Sequence, residues 1–251
     1  MPPVEVEQLS AALRKFVRRH KTQFEALSER RSQLLEIGAL MIAARHYELL
    51  GYDVRLHNPK GSDIRVKLGT RGDPWNFSYF EVVGGSRRFE IHTNLPVRDA
   101  VGTKGARYVA DVVVAPAGKV PKRFEKRRRE WRALPNDSLV TFLEAKALVI
   151  YPMLIAQFIG IVHELRPEFL RDQRPKGFVE EGHFDPALVS LGYLHGTCWN
   201  IVKGFEKRGI RIGIVAQFDS AIANLNRGGT QSPLTTDGAN PNSGQNEDIE
   251  F

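Results

Sequence analysis

The sequence predicts an α/β fold, a central sheet covered on both faces by helices. Three observations carry that reading. From Val4 to Ile37 there is no Gly or Pro, and apolar residues recur at mostly three- and four-residue steps, the period of an amphipathic helix. After Gly51 the period shifts to the alternation of strands. Two later runs, Tyr108 to Val114 and Leu139 to Ala147, are mostly apolar and bounded by turn residues, as interior strands buried on both sides are.

Taken in order, Leu9, Leu13, Phe16, Phe24, Leu27, Leu34 and Leu35 mark two helices joined near His20-Lys21-Thr22. The second runs to Leu49-Leu50, and Gly51 suits its C-terminal cap. Tyr52–Leu56 and Asp63–Leu68 read as short strands, and Asn76–Val83, Gly84-Gly85 and Arg88–Thr93 as a hairpin. Pro152 opens a helix to about Leu165, since its missing N–H costs nothing in a first turn. Pro167 to Gly182 reads as loop, and Asp185-Pro186 as the start of another helix ending near Gly209. Ile210–Ala216 is a last buried strand, and the Gly-, Asn- and Ser-rich tail from Asn226 is expected to be disordered. The chain thus divides into an N-terminal helical extension (1–32), one globular domain (33–225) and an acidic tail (226–251).

With 42% hydrophobic residues the chain can bury a sizeable core. A single cysteine, Cys198, excludes an intramolecular disulfide framework and any multi-cysteine zinc site. The start, Met1-Pro2-Pro3-Val4-Glu5, lacks the basic end and apolar run of a signal peptide, and the most apolar stretch, Ala147 to Val162, contains Pro152 and Gln157. No membrane contact and a cytoplasmic location are therefore expected. The net charge of +7 is uneven: the last 26 residues carry −3 and the preceding 225 carry +10, 35 basic against 25 acidic. Such a body is the electrostatic footprint of a protein that meets phosphates.

Charges interrupt the two most apolar strands. Asp111 sits among Val109, Ala110, Val112, Val113 and Val114, while Phe142, Glu144 and Lys146 share one face of the next strand. A buried, unpaired carboxylate costs several kcal/mol, on the order of a small domain's whole stability. A divalent cation held by Asp111 and Glu144, with Lys146 alongside, offsets that cost; the alternative is a buried ion network with only a structural role. The same trio is suited to phosphodiester cleavage, in which the metal polarises the phosphate and the Lys orients the nucleophile.

Asp111 followed on the next strand by Glu144-Ala145-Lys146 resembles the motif of the PD-(D/E)XK, or restriction-endonuclease-like, nuclease superfamily. The resemblance spans about Glu36 to Phe218 and implies a mixed central sheet flanked by helices. It also implies a Mg²⁺ cofactor, replaceable by Mn²⁺, on Asp111 and Glu144. Glu36, on the helix ahead of Gly51-Tyr52-Asp53-Val54, matches a further metal-site Glu of many members, and Gln157 matches a Gln on the helix after the Lys. From the residues alone, Glu36 reads equally as an exposed helix-face side chain, and Gln157 reads more readily as one. The chain departs from the pattern in having Ala110 where the motif has Pro, and in the 33 positions from Asp111 to Glu144.

That long connection holds Lys119, Lys122, Arg123, Lys126, Arg127, Arg128, Arg129 and Arg132, with Phe124 and Trp131 interleaved. Read at helical spacing, it is a basic element between the two site-bearing strands, dense enough to release counterions from a polynucleotide backbone. His195 and Cys198, three apart on the helix expected over 186–208, belong to a packed face rather than a nucleophile pair. His92 beside Glu90 reads as a hydrogen-bonded strand residue. Asn246–Phe251 resembles the acidic, Phe-ended tip of bacterial single-stranded-DNA-binding proteins, which implies docking of a partner protein; its own composition reads as a solvated tail. The expectation is a metal-dependent endonuclease acting on DNA in prokaryotic antiviral defence, restriction or repair, working as a homodimer or higher homo-oligomer. The alternative is an inactive module of the same fold that binds nucleic acid or a partner protein.

Overall fold

A computed structural model describes residues 31–59, 64–103, 105–121, 124–125, 130–131, 133–171 and 173–218. The helical extension before residue 31 and the acidic tail lie outside the described residues. Helix α1 (Arg31–Leu49) buries Leu35, Ala39, Leu40, Ala43 and Tyr47. It ends as expected at Gly51, whose φ of 84° lets the Gly51 and Tyr52 N–H groups turn back to the carbonyls of Glu48 and Tyr47.

Strands β1 (Asp53–His57), β2 (Tyr79–Gly84), β3 (Arg87–Arg98) and β4 (Arg107–Pro116) follow, and β2–β3 is the expected hairpin. After the short β5 (Phe124–Glu125) and β6 (Glu130–Trp131) come β7 (Thr141–Lys146), helix α2 (Pro152–Leu165), β8 (Ala187–Ser190), helix α3 (Gly196–Lys207) and β9 (Gly213–Val215). The main sheet has seven strands in the order β1-β2-β3-β4-β7-β8-β9. Pairing is antiparallel as far as β7 and parallel from β7 to β9, so the fold is α/β with a mixed sheet. Helix α1 covers one face, and α2 with α3 covers the other through Leu154, Ile155, Phe158, Val162, Cys198 and Phe205. Burying each large apolar side chain contributes roughly 1.5–3 kcal/mol, so packing rather than intrinsic propensity holds these helices. Among the described residues no helix is long and apolar enough to cross a membrane.

Three sequence expectations need correction. Of Asp63–Leu68, the described residues Ile64–Leu68 form no strand; Arg65 is tied to Ser78 by two hydrogen bonds, and the Lys67 side chain turns inward. The helix expected from Pro186 begins only at Gly196. Ahead of it, Ala187–Ser190 is fully buried and adds to β7 as a parallel strand, because a short, mostly apolar run bridges a sheet but is too short for a helix. Gly192 then lets two loops touch: a Cβ there would lie 2.4 Å from the Leu148 carbonyl oxygen. Finally, the basic insertion is not helical where it is described. Its β5 and β6 pair antiparallel, with Phe124 in register with Trp131 and Glu125 with Glu130.

One buried polar chain ties α1 to the loop before β8. Tyr47 Oη lies 2.7 Å from His183 Nδ1, and His183 Nε2 lies 2.9 Å from Glu181 Oε2. A neutral imidazole satisfies both, accepting from the phenol and donating to the carboxylate. Burial, the largest influence, pushes the His183 pKa down to about 4 from an ordinary 6.5. The folded state therefore binds fewer protons than the unfolded state in that window, and stability falls as pH drops from 6.5 towards 4. The loss is on the order of 3 kcal/mol across the window. The advantage of the wild type over His183→Gln in urea midpoint should shrink steadily between those pH values. A constant difference would rule the linkage out.

Candidate functional site

The site forms where two regularities of the sheet break. In β3, Phe89 and Ile91 belong to the core under α1, whereas Leu95 and Val97 belong to the opposite core. In β4, Val112 and Val114 face α1, whereas Ala110 faces away. Register continues on both sides, Thr93 with Val112 and Leu95 with Ala110, so both strands switch faces at Asn94 and Asp111. Asn94 makes the switch with a left-handed φ of 49°. The ladder between β4 and β7 also ends just short of this level, at Val112 with Leu143. Asp111 Oδ2 fills the gap by accepting the Ala145 N–H at 2.8 Å.

The opening gathers Asp111, Glu144 and Lys146. Lys146 Nζ lies 2.9 Å from Glu144 Oε2 and 3.4 Å from Asp111 Oδ2. The Glu144 side chain is 4% exposed, and its other oxygen, Oε1, is buried without a hydrogen-bond partner. Burial, followed by the adjacent Asp111 charge, pushes the Glu144 pKa up to about 7. Burial alone would lower the Lys146 pKa, but the attraction of Glu144 and Asp111 outweighs it and the value is raised. Lys146 is therefore an ammonium at neutral pH, suited to charge stabilisation rather than to proton abstraction.

Glu36 reaches the same opening from α1. It is half-buried, and burial raises its pKa, with Asp111 adding to the rise and Lys146 opposing it, so these groups lie within electrostatic reach of one another. Two residues that the sequence pattern did not mark hold it. Asn94 Nδ2 donates to Glu36 Oε2 at 2.7 Å and to the Lys67 carbonyl at 2.9 Å. Lys67 Nζ donates to the carbonyls of Gly69 at 2.6 Å and Asn94 at 2.5 Å, and burial lowers its pKa to about 8. The His92-Thr93-Asn94 run, polar in the middle of a buried strand, was the available signal for Asn94. Lys67 gave none, because Lys in an alternating run reads as a solvent-facing side chain.

The other expected residues are placed differently. Gln157 is exposed on α2 and makes no hydrogen bond to the group. Cys198 is buried and donates to the Ile150 carbonyl at 3.4 Å, while His195 contacts Thr197, so the two are not a nucleophile pair. His92 is a buried strand residue beside Glu90, as expected. A cleft of about 680 Å³ lined by Tyr52, Gly85, Arg87 and Glu181 lies beyond the C-terminal end of α1 and includes none of the gathered charges.

The basic insertion is anchored next to this site. Its start is held by the Trp75 indole, which donates to the Pro121 carbonyl at 2.9 Å and whose ring meets that of His92 at 5.5 Å. Its end is held by the Leu134 N–H, which donates to the Pro96 carbonyl at 2.8 Å. The two anchors bracket Asn94 on β3. Lys119 is exposed; Lys122, Arg123, Lys126, Arg127, Arg128, Arg129 and Arg132 have side chains outside the described residues.

Among the described residues no group of three or more His, Cys, Asp or Glu side chains is gathered closely enough to hold a metal ion. Two carboxylates with an orphaned buried oxygen nevertheless fit Mg²⁺, which keeps several waters and takes one or two protein carboxylates together with substrate phosphate. They do not fit a closed all-protein cage such as structural zinc uses. Comparison with protein-family models, curated proteins and solved structures finds no match.

Proposed function

We propose that this chain is a Mg²⁺-dependent nuclease of the restriction-endonuclease-like fold that hydrolyses phosphodiester bonds in DNA. The observation that carries the reading is the unpartnered, buried Oε1 of Glu144 beside Asp111 and Lys146, at the level where the β4–β7 ladder has ended. An orphaned carboxylate oxygen in a buried site is costly unless something binds it. Asp111 and Glu144 would hold the cation, with Glu36 on its flank. Bound Mg²⁺ would supply Lewis-acid polarisation of the phosphate and a more acidic water. Lys146 would orient the attacking water and stabilise charge on the phosphate oxygens, work that its raised pKa suits. Asp111 has a second duty, since its Oδ2 closes the ladder at the Ala145 N–H and so fixes the carboxylate's direction.

The basic insertion would track the DNA backbone, held beside the site by the Trp75 and Leu134 anchors. Cutting both strands calls for two sites, hence a homodimer or higher homo-oligomer, in a prokaryotic defence, restriction or repair setting. A second reading, a non-cleaving module that binds nucleic acid or a partner protein, is favoured by one observation: the described residues gather no three-ligand metal group. Incubation with supercoiled plasmid separates the two. The nuclease reading expects nicked and linear product with Mg²⁺ or Mn²⁺ and none with chelator. Intact plasmid bound in a salt-sensitive way, with either metal present, would establish the module instead.

A further inference from the structure

We infer that the uncharged apolar face at the start of α2 is where a second copy of this chain docks. The inference gives the proposed homodimer a surface, and its test reads mass rather than cleavage. Residues 147–163 and 187–202 contain no Asp, Glu, Lys or Arg, in a chain of which 26% is charged. The fold brings these two segments together. Ile150 and Leu194 bridge in parallel; the Ile150 N–H donates to the Tyr193 carbonyl at 2.9 Å, and the His195 N–H to the Ile150 carbonyl at 2.9 Å. Ile150 is fully buried, so alternation turns its neighbours Val149 and Tyr151, and Tyr193 beside them, outward. Of the eight large apolar side chains exposed among the described residues, five lie here: Leu148, Val149, Tyr151, Met153 and Tyr193, between 36% and 61% exposed.

Charge and area choose the occupant. The chain carries a net +7, and a second copy brings the same charge, so two copies repel wherever their basic surfaces meet. A face without charged residues is where like-charged bodies can approach, and a nucleic-acid backbone, which needs cations, finds none on it. Five such side chains make a patch on the order of 500 Å², the size at which exposed apolar surface marks a contact. With Gln157 and His195 as an exposed polar rim, this approaches the roughly 800 Å² that one partner gives to a standard interface. The face is also held rigid. Ser190 Oγ donates to the Leu148 carbonyl, the Gly192 N–H to Ser190 Oγ at 3.1 Å, and the Gln217 N–H to the Gly192 carbonyl at 3.0 Å. Little order is therefore left to lose on docking. A self-complementary contact of this kind closes as a twofold dimer.

Sedimentation velocity of the full chain from about 1 to about 100 μM, the range of a modest interface, tests this. The wild type should pass from monomer to dimer across that range. Met153→Glu and Tyr193→Glu, each at an exposed position, should each raise the dissociation constant by roughly 10- to 100-fold. Val101→Glu, at an exposed apolar position in the connection between β3 and β4, should leave it unchanged. Circular dichroism confirms that each variant folds, and either Glu variant suffices if the other does not. A wild type that stays monomeric at the highest concentration, or a dimer that survives in a folded Glu variant, would overturn the inference. In a monomeric wild type, a Met153 that resists peroxide oxidation would assign the face to another segment of the same chain. Plasmid cleavage judges the nuclease reading separately: a monomer that nicks DNA keeps that reading without this contact, and a dimer that cuts nothing keeps the contact without that reading.

Discussion

Lys146→Ala should lower Mg²⁺-dependent cleavage by roughly 10²- to 10³-fold while leaving the chain folded and DNA-bound. The loss is large because the ammonium lies 2.9 Å from Glu144 and 3.4 Å from Asp111, at the place where the proposed reaction gathers negative charge. The fold survives for a separate reason. Without the ammonium, two neighbouring carboxylates face each other, but Glu144 already has a pKa of about 7 and rises further, taking up a proton in place of the lost cation. Lys146 is also over one-third exposed, so Ala leaves no sealed cavity. Single-turnover cleavage at saturating enzyme measures the effect, and Lys146→Arg provides a control that keeps the charge. Wild-type rates for Lys146→Ala would mean that the lysine only neutralises a structural ion pair. Glu144→Gln separates the same possibilities from the other side. It should abolish cleavage, because it removes one of the two carboxylates proposed to hold the cation.

Much of this site was legible in the sequence, and the illegible part has a physical cause. Asp111, Glu144 and Lys146 were visible because a charge in an apolar strand violates a strong rule, and violations of strong rules concentrate at sites. Side-chain alternation placed Glu144 and Lys146 on one face correctly. It would have failed along β3 and β4, where both strands switch faces at Asn94 and Asp111, because a local reading cannot anticipate a left-handed residue inside a strand. Lys67 escaped notice for a related reason: the carbonyls that satisfy its buried ammonium come from Gly69 and from a strand far along the chain. Strand β8 escaped because Ala187–Ser190 has the apolar content of either element, and only its parallel partners β7 and β9 decide between them. The basic insertion illustrates the opposite case. Its charge was unmistakable, yet charge carries no period, so helix and ribbon were indistinguishable until the Phe124–Trp131 register was known.

Replacing Arg127, Arg128 and Arg129 together by Ala should weaken DNA binding almost equally for every sequence and flatten its dependence on salt. Each phosphate that is no longer neutralised lowers the slope of log K against log salt by about 1, so three arginines predict a change of about 3. The positions matter because they lie between β5 and β6, within a connection whose two ends are fixed at Pro121 and Leu134 on either side of the level of Asn94. On the proposed reading, a basic segment tethered at these two ends would meet the DNA backbone near Asp111 and Glu144. Two readouts therefore move differently. Fluorescence anisotropy at salt concentrations from about 50 to about 200 mM should show the shallower slope. If these residues serve only to hold the backbone, cleavage at saturating enzyme should instead stay within a fewfold of wild type. An unchanged slope would mean that the segment carries its charge into solvent. A slope that flattens while saturated cleavage also collapses would place these arginines in the reaction itself, beside Lys146.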